Sequence, residues 1–180
     1  MQAPGVTTQS ILRAALEFAH QTVMEGTMAD VDQELANRPT DGKANPIGAC
    51  YAHTIGAEDA IVNGILKGEQ PLFAGSWAGR TGMDRPMPWP GVVEGDTGEW
   101  YHSVQVDLPA LRQYAQAVYA NSEAFIGSAS DETLAREIDA LGMRMPLATL
   151  FEIFVTGHCN SLAGEISAIK GTFGKKGYPF

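Results

Sequence analysis

The stretch Phe154-Val-Thr-Gly-His158-Cys-Asn-Ser-Leu162-Ala-Gly-Glu165-Ile-Ser-Ala-Ile-Lys170 decides how this chain of 180 residues is read. At 100° per residue, Leu147, Phe151, Phe154, His158, Leu162, Glu165 and Ile169 fall on one side of a helix spanning residues 146–170, which predicts a core-facing helix. His158 and Glu165 are the polar exceptions on that face. A buried imidazole or carboxylate needs a partner to offset its desolvation, so each must be hydrogen-bonded, ion-paired, metal-bound or less buried than the pattern implies.

Working outward, three more long helices are expected. Residues 8–25 carry the stripe Ile11, Leu12, Ala15, Leu16, Phe18, Ala19 and Val23, with Gly26 near the end and His20 projecting away from it. Residues 28–44 are polar, with Pro39 and Gly42, and read as a loop with a helical turn around Asp32 to Leu35. Asn45 followed by Pro46 reads as an N-cap with proline at the first helical position, and Ile47, Tyr51, Ile55, Ile61, Ile65 and Leu66 carry the pattern to Gly68. Small residues, among them Ala49, Cys50, Ala57 and Ala60, surround His53 on that helix and leave room for a close approach.

Residues 69–106 are rich in glycine and proline and show no helical period, a long excursion of the kind that is often functional. It carries Trp77, Arg80, Trp89 and His102, but no Gly-Lys-Ser/Thr ending of a phosphate loop. Asp107 caps the third helix, which buries Leu108, Leu111, Ala115, Val118, Tyr119 and Ile126. A short helix over residues 130–141 and a break at Gly142 then precede the final helix, with almost no strand pattern anywhere. Helices this long must bury their stripes against one another, so the expected fold is all-α: a four-helix bundle in one domain, with a long link between its second and third members.

Bulk properties narrow the function. With 21 acidic and 12 basic residues the net charge is -9, which disfavours a nucleic-acid backbone as partner. The basic group Lys170, Lys175 and Lys176 suits a helix C-terminus. Two cysteines, Cys50 and Cys159, in apolar helical contexts point to a reducing cytoplasm. Residues 1–8 lack the basic start and apolar core of a signal peptide, and no run approaches the ~20 apolar residues of a membrane span.

His53 and Glu58 on the second helix, the segment Ser130-Asp-Glu-Thr-Leu-Ala-Arg136, and His158 through Gly164-Glu165-Ile166 to Lys176-Gly-Tyr-Pro-Phe180 together resemble the DinB-like superfamily of helical bundles over nearly the whole chain. The resemblance implies a divalent metal, zinc or nickel, held by one histidine of the second helix and a His-x-x-x-His pair of the last. His53 and His158 match two of those positions, whereas the third is Leu162, which has no donor atom. The resemblance further implies a metal-dependent transfer or isomerisation using a low-molecular-weight thiol, and a homodimer. Glu58, Glu165, His102, Trp77, Arg80 and Trp89 are the further pocket candidates. The alternative is a non-catalytic dimeric bundle that binds a small ligand or serves only packing.

Overall fold

The computed structural model describes residues 5–41 and 43–180; Gly42 and the first four residues, on which parts of the loop and leader readings fall, lie outside the described residues. Four long helices form the frame: α1 over residues 8–28, α3 over 47–67, α5 Leu108–Ser128 and α7 over 147–172. Short helices α2 Gln33–Ala36, α4 Thr97–Ser103 and α6 Asp131–Ala135 lie in the connections.

Side-chain contacts fix how the long helices run. Gln9 on α1 donates to the Gly127 carbonyl, and Arg112 on α5 donates to the Met28 carbonyl, so α1 and α5 are antiparallel. Cys159 on α7 reaches the Ala19 carbonyl and Lys170 the Thr27 carbonyl, so α1 and α7 are parallel. Tyr114 meets Asp59 and Asn121 meets Lys67, so α3 and α5 are parallel too. The bundle is therefore up-down-down-up. This explains the long excursion of residues 69–106: after α3 the chain must return about 30 Å, the length of 21 helical residues, before α5 can run the same way.

The return begins at a buried anchor. Asp59, fully buried, accepts hydrogen bonds from Asn63 Nδ2, Tyr114 Oη and the backbone N–H groups of Leu72 and Phe73, all at 2.7 to 2.9 Å. It ends where Gly82 packs on the first turn of α5 with φ +78°; a Cβ there would collide with the Leu111 and Asp107 backbone.

The predicted Asp107 cap holds, its side chain accepting from the Ala110 N–H, and Ser130 and Asp32 cap the short helices α6 and α2 by accepting from the Thr133 and Leu35 N–H groups. Three expectations need correction. Asn45 does not cap α3; Pro46 holds that position, and the Asn45 side chain is used elsewhere. The helix expected over residues 130–141 stops at Ala135, after which Glu137–Ala140 and Met143–Pro146 pair antiparallel as β1 and β2, so the chain has a strand element after all. Leu141 and Gly142, both with positive φ, form the two-residue turn that closes this hairpin. The expected start of the final helix beside Pro146 is observed.

Two apolar clusters fill the bundle. One gathers Met24, Tyr51, Ile55, Leu111, Tyr119, Cys159 and Ile166; the other gathers Leu12, Leu16, Val62, Leu66, Ile126, Leu150, Phe151 and Val155. Each long helix also carries a buried polar residue towards its middle, among them His20, Glu58, Ser122 and Thr156, with Asp59 and Asn63 buried beside Glu58 on α3.

Candidate metal centre

Antiparallel packing of α3 on α7 brings His53 and His158 together. Their ring centroids are 5.2 Å apart and the rings stand nearly edge to face at 72°. Both residues are half-buried. Burial, reinforced by the neighbouring His158, pushes the His53 pKa down to about 4. Burial also lowers that of His158, against an opposing pull from Glu58. Both imidazoles are consequently neutral near pH 7, each with a lone pair free to ligate. His53 Nδ1 is buried without a hydrogen-bond partner.

The loop supplies the wall, but not with the residue expected. His102 is exposed, whereas its neighbours Tyr101 and Trp100 on α4 pack toward His53, with ring centroids 5.0 and 6.5 Å away. Trp77, Arg80 and Trp89 lie elsewhere. Trp77 packs on Tyr114 with Arg80 stacked over it, and Trp89 closes a local bridge with Val93. Leu162, one turn beyond His158, is half-buried against the core.

Glu165 turns to another group: its Oε1 accepts from Asn45 Nδ2 at 3.2 Å and from the Cys50 thiol at 3.5 Å. Cys50 is thereby held as a thiol, its pKa raised by burial and by Glu165. Glu58 is almost wholly buried, and its Oε2 pairs with His20 Nε2 at 3.0 Å. His20, expected to point away from the core, is instead fully buried and stacked on Tyr119 with centroids 3.9 Å apart.

The cause of that reversal is local. Residues 18–24 of α1, 60–67 of α3 and 152–157 of α7 form π-helical turns, which hold more residues per turn and rotate everything beyond them relative to a 100° projection. On α1 the buried side runs Leu12, Leu16, His20, Met24 and Met28, four residues apart, and Phe18 is exposed. On α7 it moves the deepest positions to Val155, Cys159, Ala163 and Ile166, leaving Phe154, His158, Leu162 and Glu165 at the edge of the core, where a ligand can reach them. Asn45, Tyr101 and the role of His20 had no signal in the helical projection.

Do these residues fit a metal? Two imidazoles on one tetrahedral zinc, with Zn–N about 2.0–2.1 Å and about 1.2 Å from nitrogen to ring centre, have centroids about 5 Å apart. The observed separation matches, and the neutral rings and unpartnered His53 Nδ1 suit ligation. Among the described residues, however, no group of three or more His, Cys, Asp or Glu side chains is placed to hold one ion. The pair therefore fits a site with two protein donors and the rest supplied from outside.

A search of curated proteins found no match. Among solved structures, a protein from Enterococcus faecalis superposes with TM-score 0.72 at 16% identity, covering 95% of this chain and all of the other. YfiT from Bacillus subtilis, described as a probable metal-dependent hydrolase with an unusual four-helix bundle topology, gives 0.59 at 12% identity over 98% of this chain and 93% of its own. A mutant of the mycothiol-dependent maleylpyruvate isomerase gives 0.53 at 13% identity, covering 97% of this chain and 64% of that longer one. These likenesses establish the fold. A family model described as the DinB superfamily matches residues 16–160, more than half of the sequence, and the chain belongs to that superfamily.

Proposed function

We propose that His53 and His158 hold a divalent metal, zinc or nickel, at the edge of the bundle core, and that the site binds a low-molecular-weight thiol for a transfer or isomerisation reaction. The observation that carries this is the pair of neutral imidazoles at a separation suited to one ion. A divalent cation there would lower the pKa of an incoming thiol, so that thiolate forms near neutral pH. Leu162 in place of a third donor leaves more positions for outside ligands at the expense of affinity.

The chain's own residues do the rest. Tyr101 and Trp100 wall the His53 side and keep bulk water from the rings. Glu165, fixed by Asn45, places a carboxylate two turns from His158, where it can orient a polar group of the ligand. The chain's thiols do not compete as nucleophiles, since burial raises the pKa of both Cys50 and Cys159. The choice of metal and thiol is supported by two proteins of the same fold, YfiT, a probable metal-dependent hydrolase, and the mycothiol-dependent maleylpyruvate isomerase. We also propose a homodimer in a reducing cytoplasm.

The protein purified without added metal should carry zinc or nickel near one per chain by elemental analysis, and His158→Ala should remove it. Metal-free wild type, with thiol binding unchanged in that variant, would overturn the proposal. It would favour the second reading, a non-catalytic dimeric bundle, which the lack of a three-donor group among the described residues supports.

A further inference from the structure

Glu165 brings a carboxylate to the groove between α3 and α7, and no cation comes with it. Among the described residues no Lys, Arg or His nitrogen lies within ion-pair distance of it. Its hydrogen bonds come from neutral donors and fall on one oxygen. Oε1 accepts from Asn45 Nδ2 at 3.2 Å and from the Cys50 thiol at 3.5 Å, whereas Oε2 accepts from no described residue. The deeper acids of α3 are better matched: Glu58 pairs with His20, and Asp59 takes two hydrogen bonds on each oxygen. A half-buried carboxylate left in this condition is suited to a counter-charge from outside the chain.

Contacts in the structure fix where Glu165 stands relative to the histidines. In the antiparallel register of α3 and α7, Cys50 meets Glu165 and His53 meets His158. Cys50 and His53 are three residues apart on α3, about 5 Å along its axis. Leu162 lies between His158 and Glu165 on α7, and the Tyr101 ring flanks His53 at 5.0 Å. The groove therefore offers two imidazoles at one end, an apolar middle and an uncompensated carboxylate about one turn away.

We propose that the thiol taken by this site is an aminothiol, whose primary ammonium, two carbons from the sulfur, donates to Glu165 Oε2 while the sulfur lies at the histidine pair. Asn45 and Cys50 hold Oε1 and so aim the other oxygen at the ligand. An N-acylated thiol has no charge to offer there and is discriminated against. The inference rests on the reading of His53 and His158 as the thiol-binding end, and gives that reading its ligand class.

Cysteamine and N-acetylcysteamine share the thiol and differ in whether the nitrogen is charged. In calorimetric titration of the zinc-loaded protein, cysteamine should bind more tightly by about tenfold or more, the worth of one hydrogen bond to a charged group. Glu165→Gln, which keeps an acceptor for Asn45, should bring the two affinities together by weakening cysteamine alone. Equal affinities in wild type overturn the proposal even if the variant does not fold. A preference retained in folded Glu165→Gln overturns it too, since the amine would then be coordinating the metal. The same titrations of chelator-treated protein, followed by NMR, separate this idea from the metal reading. A wild type that takes up no zinc, yet prefers cysteamine through Glu165, removes the metal and leaves the ammonium subsite. Zinc held by His53 and His158 with both thiols bound alike removes the subsite and leaves the metal. Neither thiol bound, with or without zinc, overturns the proposal.

Discussion

Acid should destabilise the metal-free protein through His53, and the size of the effect follows from its surroundings. In the unfolded chain a histidine titrates near 6.5, whereas burial beside His158 lowers the His53 pKa to about 4 in the fold. The folded state thus prefers the neutral ring. The associated stability is fully present above the unfolded pKa and is lost as pH falls from about 6.5 toward 4, because only the unfolded chain takes up the proton there. For one site with these two pKa values the loss is about 2 kcal/mol at pH 5 relative to pH 8, approaching about 3 kcal/mol at lower pH. His158, lowered in the same direction, adds to it.

Urea denaturation of chelator-treated protein at a series of pH values reads this directly. With a slope of about 2 kcal/mol per molar, the midpoint should fall by about 1 M between pH 8 and pH 5 from His53 alone. Carboxylate titration contributes a background, which His53→Gln removes by difference: the variant should lose distinctly less stability over the same range. Parallel curves for wild type and His53→Gln would refute the burial and neutrality on which ligation depends.

Asp59→Ala strips four hydrogen bonds from buried partners and should cost at least about 3 kcal/mol in the same denaturation assay; a cost under about 1 kcal/mol would show that the return segment is not anchored there. Lys170→Met removes the buried ammonium that donates to Thr27, Asp30 and the Gly177 carbonyl, and should cost about 2 kcal/mol or more and make the C-terminal tail open to proteolysis. Leu162→His restores a donor one turn from His158, on an accessible edge of α7. Zinc affinity measured by calorimetry should rise at least about tenfold. No change in affinity would mean that position 162 does not face the histidine pair.

Much of the fold was legible because apolar periodicity and caps act locally. The stripes, Asp107 and Gly68 located the long helices to within a few residues. The direction of each helix was not, since nothing in a stripe says whether its neighbour runs parallel; the length of residues 69–106 was the one clue to a parallel pair. The hairpin of residues 137–146 was hidden because four-residue strands carry too short a pattern, although Leu141-Gly142 marked the turn. His158 stood out by its helix face and His53 by the resemblance, and their ring centroids lie 5.2 Å apart. His20 was misplaced because a projection at 100° per residue has no place for a π turn, and three of the four long helices contain one. Tyr101 was overlooked beside His102 because loop side-chain direction is set by α4, not by sequence spacing.

The most direct test of the two-histidine site is an anomalous-scattering experiment on crystals of the protein equilibrated with zinc. The account predicts a peak bonded to one nitrogen each of His53 and His158 at about 2.0–2.1 Å. Zinc density absent from between these rings, or found only on surface carboxylates, would contradict it.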